Sequence, residues 1–115
     1  MQSRFRLTRS EDFKRVRQSG KSHAHPLVVL VAQPNHSPEI KVGVTAGRSI
    51  GTAIARNRAK RLLREVMRPL MPSLATGWDL ILVARPKLAV ASLTETREAV
   101  ITLLQRAKLI PSNGS

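Results

Sequence analysis

RSIGTAIARNRAKRLLREVMR, residues 48–68, is the stretch on which the interpretation of this chain rests. Gly51 permits a sharp turn, and Thr52 is a residue type that caps helix N-termini through its hydroxyl group. The following residues contain no Pro or Gly before Pro69, and Ala, Leu and Arg are strong helix formers. The sequence therefore predicts a helix over residues 53–68, which ends there because the residue before a proline avoids the helical region.

This central helix is predicted to have an apolar face and a cationic face. Its small and aliphatic side chains fall within an arc of about 100°; they are Ala55, Ala59, Leu62, Leu63, Val66 and Leu70. Cations recur at every fourth position on another ridge, formed by Arg56, Lys60, Arg64 and Arg68, with Asn57 and Arg61 beside it and Arg58 nearer its other edge. Like charges at this spacing each destabilise a helix by a few tenths of a kcal/mol. Because only Glu65 offers a counter-charge within the helix, the ridge favours a polyanionic partner over simple solvation.

The composition of the whole chain supports a nucleic-acid partner. The 115 residues include 20 Lys and Arg against 7 Asp and Glu, a net charge of +13. Such an excess favours RNA, DNA or an anionic membrane surface. The length predicts a single domain, assigned to residues 1–110, followed by a disordered tail over residues 111–115. With 42% hydrophobic residues the chain can bury a core.

Targeting signals and cysteine chemistry are both absent from the sequence. No apolar run approaches the roughly 20 residues of a membrane span, and no secretory signal precedes the first polar segment. The chain has no Cys, which excludes disulfides and thiolate metal sites and fits a reducing cytosol.

One helix and three strands are predicted before the central helix. The helix covers residues 11–18, preceded by a capping-box pattern at residues 8–11 and stopped by Ser-Gly. Residues 21–25 are ambiguous and are assigned to a short edge strand. Residues 27–32 form a continuous apolar run typical of a strand buried on both faces. Residues 40–46 alternate apolar and polar side chains, which predicts a strand paired with the preceding one.

A strand and a helix are predicted after the central helix. The strand covers residues 78–85 and is closed by a proline. The helix covers residues 93–107, with Ser92 or Thr94 as its cap; its inner side is assigned to Leu93, Val100, Leu103, Leu104 and Ala107. This order of elements predicts an α+β sandwich with helices packed on a sheet.

No constellation for catalysis is evident in the residues themselves. His23 and His25 would share one face of a strand, but no third metal ligand accompanies them at a suitable spacing. The carboxylates are scattered, and Asp79 is interpreted as structural or as orienting a basic neighbour. The glycines lack the pattern of a phosphate-binding loop. The chain is therefore expected to bind rather than to catalyse alone, with no catalytic residue and no metal site of its own.

Residues 53–65, AIARNRAKRLLRE, closely resemble the signature of the protein subunit of bacterial ribonuclease P. The match extends over many residue types in register, so it is more specific than a lone glycine motif. Residues 5–7 and 12–13 resemble the first segment of that family, and residues 77–86 resemble its last strand. The resemblance covers roughly residues 4–106.

The resemblance implies a fold and a function. The fold is αβββαβα, with a mixed four-stranded sheet and a left-handed βαβ crossover, as in ribosomal-protein-S5-domain-2-like folds. Ribonuclease P is a cytoplasmic ribonucleoprotein endonuclease of tRNA processing, which removes the 5′ leader of precursor tRNA. Its catalytic centre lies in the RNA subunit, where Mg²⁺ is bound by that RNA and the substrate. The protein binds the RNA, most simply one protein with one RNA, and holds the leader in a cleft between the sheet and the first helix.

The resemblance also implies which residues carry these roles. The RNA-binding set matches Arg48, Arg56, Asn57, Arg58, Lys60, Arg61, Arg64 and Arg68. The leader cleft is assigned to Phe13, Lys14, Arg17 and Leu30. In this family aromatic residues are frequent near the positions that Arg17 and Leu30 occupy in this chain. Two adjacent lysines usually precede the central helix, where this chain has Arg48 and Ser49. Since stacking contributes about 1–3 kcal/mol per base, leader binding here is expected to depend more on charge.

Three other classes of protein compete with this interpretation. A structural RNA-binding protein of ribosomal type would share the basic composition but would not be expected to reproduce the register of residues 56–65. A DNA-binding helix could place Asn57 and Arg58 on base edges, but no second helix lies a short turn away. A self-sufficient basic nuclease would need acid and base groups that are not evident.

Overall fold

Three helices and four strands follow one another in the order αβββαβα in the computed structural model, which describes residues 5–110. They are α1 (Ser10–Ser19), β1 (Lys21–Ala24), β2 (Val28–Pro34), β3 (Ile40–Ala46), α2 (Ala53–Leu70), β4 (Trp78–Ala84) and α3 (Leu93–Arg106). This order confirms the predicted element sequence, including the short edge strand. The predicted tail over residues 111–115 lies outside the described residues, as do residues 1–4.

The sheet has the strand order β1-β2-β4-β3. β2 pairs antiparallel with both β1 and β4, whereas β3 pairs parallel with β4. The predicted pairing of residues 40–46 with the preceding strand is therefore wrong. α2 returns the chain as β4 beside β3, as a parallel pair requires, and β4 separates β3 from β2. The βαβ crossover is confirmed, and its left-handedness stays a prediction.

Each face of the sheet packs against its own helices. Successive side chains of a strand point to opposite faces, and paired residues share a face. Leu30 pairs with Leu82 on the face that carries α2 and α3, and Val31 pairs with Ile81 on the face that carries α1. Both faces of β2 are therefore covered, as its continuous apolar run predicts.

Two helix ends differ from their prediction. α1 begins at Ser10, and its N-cap position is Arg9, whose side chain makes no cap hydrogen bond. The capping box predicted from Thr8 is wrong because that residue precedes the cap position. α2 continues through Pro69 to Leu70. The proline removes one hydrogen bond at an exposed position in the last turn, where a helix tolerates the loss better than in its interior.

The predicted N-terminus of α3 is confirmed, but part of its predicted inner side is wrong. Ser92 caps α3, and Glu95 completes the capping box. The Ser92 amide donates to Glu95 Oε1 over 2.9 Å, which lowers the pKa of Glu95. Leu93 does not lie on the inner side as predicted, because it begins the helix and is 41% exposed. Thr96 and Ala99 are buried there instead.

Gly43 allows α1 to lie close to β3, and this contact is testable. A Cβ atom at Gly43 would lie 2.5 Å from Phe13 Cζ, so Gly43→Ala must displace the ring. We expect the free energy of unfolding, measured by urea denaturation, to fall by about 1–3 kcal/mol. Gly47→Ala is the matched control, because a Cβ there meets nothing within 4 Å and the backbone has an ordinary φ of −82°. An equal loss in both variants would contradict the steric explanation.

Candidate nucleic-acid interface

The start of α2 is held by the residues that the sequence predicts. Gly51 has a φ of 118°, a conformation that favours glycine. The Thr52 hydroxyl accepts a hydrogen bond from the Ala55 amide over 3.2 Å, which confirms it as the N-cap. Arg48 is exposed in the short 3₁₀ turn Arg48–Ile50 immediately before this cap.

α2 buries one side and exposes a cationic face. Ala59, Leu63, Val66 and Met67 are its buried residues; Met67 is the one that the apolar-arc prediction omits. Asn57, Arg58, Arg61 and Arg68 are exposed, whereas Arg56, Lys60 and Arg64 are half-buried. Within residues 5–110, both ion pairs involve Arg15 of α1, so none neutralises a cation of α2. We call the surface formed by these seven exposed or half-buried residues the α2 cationic face; its members are Arg56, Asn57, Arg58, Lys60, Arg61, Arg64 and Arg68.

Two arginines at the start of this face also bond to the chain itself. Arg56 Nη1 donates to the Gly51 carbonyl over 3.2 Å. Arg58 donates through Nη1 to the Ala89 carbonyl at 2.7 Å and through Nη2 to the Ala91 carbonyl at 3.2 Å. Arg58 therefore fastens the 3₁₀ segment Pro86–Val90 to α2. The sequence motif alone does not reveal this internal role.

Arg64 differs from its neighbours on the helix. Its Nε atom is buried and has no hydrogen-bond partner among the described residues. Burial and, secondarily, the charge of Arg6 lower the pKa of Arg64. A buried donor without an acceptor is costly, so this side chain is poorly satisfied by residues 5–110.

α1 lies across the other face of the sheet. Val16 is buried against Val31 and Ile81, and Phe13 is half-buried above Gly43. Lys14 and Arg17 are exposed on the same helix. Three of the four residues predicted for the leader cleft therefore lie along α1.

Leu30 does not lie in this cleft. Its side chain is 0% exposed and belongs to the core beneath α2 and α3. The assignment of Leu30 to a binding surface is corrected by strand alternation, because it points away from α1. Its neighbours Val29 and Val31 point toward α1 instead.

The part of the sheet beside α1 forms an apolar floor. Val29 and Val83 pair across β2 and β4, are half-buried, and pack at the edge of the cluster beneath α1. Thr45 pairs with Val83, and Ala24 pairs with Val29, so both share this face. We call the space between α1 and these residues the α1 cleft. Sequence reasoning missed its floor, although the alternation of the strands could have indicated it.

A polar clamp fixes the position of α1. Arg15 Nη2 lies 2.7 Å from Oδ2 of Asp79, a carboxylate that is 4% exposed, and 3.3 Å from Asp12 Oδ1. Asn35 Nδ2 donates to Asp79 Oδ1 over 3.0 Å, and Arg15 also contacts the Gln33 side chain. The hydrogen bond to Asp79 raises the pKa of Arg15. The interpretation that Asp79 orients a basic neighbour is confirmed.

α1 directs different side chains to its two flanks. Arg15 reaches the Asp79 end of β4, and each residue of a helix turns about 100° from the last. Arg17, about 200° further round the helix, therefore lies on the opposite flank of α1 from Arg15 and is exposed there. The α1 cleft thus combines an apolar floor with a cationic rim.

Metal ligands do not cluster in the described part of the chain. No group of three or more His, Cys, Asp or Glu side chains there could hold a metal ion. His25 Nδ1 accepts the Leu27 amide over 3.1 Å, which assigns that histidine to a turn. In the same residues, no helix is long and apolar enough to cross a membrane.

Comparison with known proteins gives one consistent family. The Ribonuclease P family model matches residues 1–108. The ribonuclease P protein component of Herpetosiphon aurantiacus is 38% identical over 109 residues, which cover 95% of this chain and 89% of that protein. The protein component of Dehalococcoides mccartyi strain 195 is 39% identical over 105 residues, covering 91% and 86% respectively.

Solved structures with the same fold carry the same description. The ribonuclease P protein of Thermotoga maritima has a TM-score of 0.79 at 28% identity, covering 88% of this chain and 96% of that one. The Staphylococcus aureus protein has a TM-score of 0.83 at 23% identity, covering 93% and 98%, and supports the fold alone.

The internal role of Arg58 predicts a loss of stability that a neighbouring arginine does not share. Arg58→Ala leaves the Ala89 and Ala91 carbonyls without their charged donors, so we expect the free energy of unfolding to fall by about 1–3 kcal/mol. Arg61→Ala removes the same charge from an exposed site and should change it by no more than about 0.5 kcal/mol. Urea denaturation measures both. Equal effects would contradict the fastening role.

Proposed function

The chain belongs to the ribonuclease P protein family, and from this premise we propose that its α2 cationic face binds the ribonuclease P RNA. Ribonuclease P is an endoribonuclease of tRNA processing, and this chain is its protein component. The RNA subunit that carries catalysis is a separate molecule. The proposal concerns which surface of this chain binds the RNA subunit and which binds precursor tRNA.

The uncompensated charge of α2 carries the proposal. Cations that face one direction without acidic partners repel one another. When they neutralise the phosphates of RNA, the cations condensed on the RNA are released, which favours binding. Lys60, Arg61 and Arg68 make no hydrogen bond or ion pair among the contacts observed within residues 5–110, so their charged groups can meet phosphates without breaking internal structure. Asn57 adds a neutral donor and acceptor in the same row as Arg61.

The α1 cleft is proposed to hold the 5′ leader of precursor tRNA. An unpaired strand can lay its bases on the apolar floor while its phosphates meet the rim at Lys14 and Arg17. Among the described residues that form this wall, Phe13 is the aromatic one, so one stacked base is the most that it can support. Charge, which is insensitive to base sequence, therefore supplies most of the proposed affinity.

Catalytic chemistry is assigned to the RNA subunit. The described residues do not suit Mg²⁺, because no group of three or more His, Cys, Asp or Glu side chains among them could hold a metal ion and the chain carries a net charge of +13. We therefore assign Mg²⁺ to the RNA and its substrate and derive no step through a metal held by this chain. Its residues position RNA and neutralise phosphate charge. We further propose that residues 1–110 form a single domain. The holoenzyme is proposed to be cytoplasmic and to contain one protein and one RNA.

Reconstitution tests this function directly. The full chain is mixed with a bacterial ribonuclease P RNA at low Mg²⁺, and 5′ cleavage of a precursor tRNA is followed against protein concentration. Wild type should restore cleavage. The triple variant Lys60→Ala/Arg61→Ala/Arg68→Ala should need about 100-fold more protein or higher, because three phosphate contacts are lost. The slope of log affinity against log salt should also become shallower by about 2–3.

A charge-matched control separates the α2 cationic face from net charge. Lys21→Ala/Arg97→Ala/Lys108→Ala removes three exposed cations that lie outside α2. This control should stay within a few-fold of wild type. If both triple variants weaken cleavage alike, the assignment of the RNA surface to α2 is wrong. If wild type binds RNA tightly but gives no stimulation, a structural RNA-binding role of ribosomal type replaces the proposed one.

A further inference from the structure

A cavity of about 220 Å³ lies at the outer edge of β3, where four parts of the chain meet. Arg6 and Thr8 line it from the N-terminal segment, Phe13 from α1 and Arg64 from α2. Leu7, Val42 and Val44 supply apolar walls. The described residues that line this cavity include two arginines and no carboxylate. We call it the Arg6–Arg64 pocket.

The N-terminal wall of this pocket is part of the fold. Arg6 forms a parallel bridge with Val42, and the Leu7 amide donates to the Val42 carbonyl over 3.0 Å. Leu7 itself is buried in the cluster beneath α1. The backbone that carries Arg6 is thus anchored along the edge of β3, and the pocket does not depend on a loose arm.

Among the described residues, the electrostatic environment of the pocket disfavours its two positive charges. Arg64 Nε is buried without an acceptor among the described residues, and both burial and the Arg6 charge disfavour its protonated form. Neither arginine takes part in an ion pair within residues 5–110. Two cations that lie close together beside apolar walls produce a strongly positive local potential, because a low dielectric weakens the screening of their charges. Such a potential favours the binding of an anion.

The shape and donors of the pocket indicate which anion fits. Guanidinium groups present paired N–H donors that match the oxygens of phosphate, and the Thr8 hydroxyl can donate a further bond. We propose that the Arg6–Arg64 pocket binds one backbone phosphate of RNA between these two guanidinium groups. This inference rests on the proposed function and deepens it by naming a discrete phosphate site.

The location of the pocket explains why such a site would be useful. Phe13 belongs both to this pocket and to the wall of the α1 cleft, and Arg64 belongs both to this pocket and to the α2 cationic face. A phosphate held here lies where the two proposed RNA surfaces meet. The phosphate can come from the leader or from the RNA subunit, and the holoenzyme experiment below distinguishes these sources.

The first test uses inorganic phosphate and the full chain at constant ionic strength. Phosphate should raise the thermal unfolding midpoint of wild type in a saturable manner. Arg6→Ala should raise the phosphate concentration for half of this effect about tenfold. Arg9→Ala is the matched control, because Arg9 is a nearby exposed arginine that does not line the pocket. An equal shift in both variants would overturn the proposal.

A substitution of Arg64 gives an independent readout. Arg64→Met replaces a half-buried cation, whose Nε atom is buried without an acceptor among the described residues, with an apolar chain of similar length. It should raise the unfolding midpoint in the absence of phosphate and remove most of the phosphate response. A lower midpoint without phosphate, together with a retained response, would overturn the proposal.

The second test uses the holoenzyme and three binding measurements. Arg6→Ala and Arg9→Ala proteins are compared for affinity to the RNA subunit, and their holoenzymes for affinity to precursor tRNA with a long leader and to mature tRNA. A loss of about tenfold confined to precursor tRNA assigns the phosphate to the leader. A similar loss in RNA-subunit binding assigns it to that subunit. If Arg6→Ala weakens neither more than Arg9→Ala does, the pocket proposal fails, whereas loss of stimulation by wild type would overturn the proposed function instead.

Discussion

Six cationic side chains on α2 are accompanied by one carboxylate, and no ion pair within the described residues neutralises any of them. A helix of this kind depends on its buried side for stability. Ala59, Leu63, Val66 and Met67 anchor it to the sheet, so the opposite side can keep a charge that a solvated helix would dilute with glutamate. The repulsion that remains is relieved when the helix meets a polyanion.

The sheet lies between the two proposed RNA-binding surfaces, and both reach its β3 edge. Alternating side chains of β2 and β4 supply the core beneath α2 and α3 on one face and the floor of the α1 cleft on the other. The Arg15–Asp79 clamp holds α1 at one side of this floor, and the other side stays open. The surfaces approach one another at the edge of β3, where the Arg6–Arg64 pocket lies.

Much of this architecture could be predicted because it is local. The cap at Thr52, the choice of Ser92 or Thr94 as the cap of α3 and the apolar strand β2 follow from residue types and spacing. The strand order could not be predicted, because β2 and β3 are both suited to burial and only the crossover through α2 decides that β4 lies between them. The prediction that Leu30 lies in the leader cleft is wrong, because the face on which a strand residue lies depends on the strand pairing and on which residues α1 covers.

Local sequence patterns likewise indicate some of the candidate functional residues and not others. The arginine-rich register of α2 is visible in the sequence, and so is its likeness to a family. The internal bonds of Arg58 to Ala89 and Ala91 join residues more than 30 positions apart, so no local pattern indicates them. The burial of Arg64 Nε likewise depends on the tertiary fold and not on a local pattern.

The central claim is that α2 faces the RNA subunit while the α1 cleft faces the leader. Because the chain has no cysteine, Glu65→Cys on α2 and Ala24→Cys beside the cleft floor can each carry a single tethered hydroxyl-radical source in the holoenzyme. The account predicts that the probe on α2 cleaves the RNA subunit and that the probe beside the cleft cleaves the leader of precursor tRNA. The reverse pattern, or equal cleavage of either RNA from both positions, would contradict it.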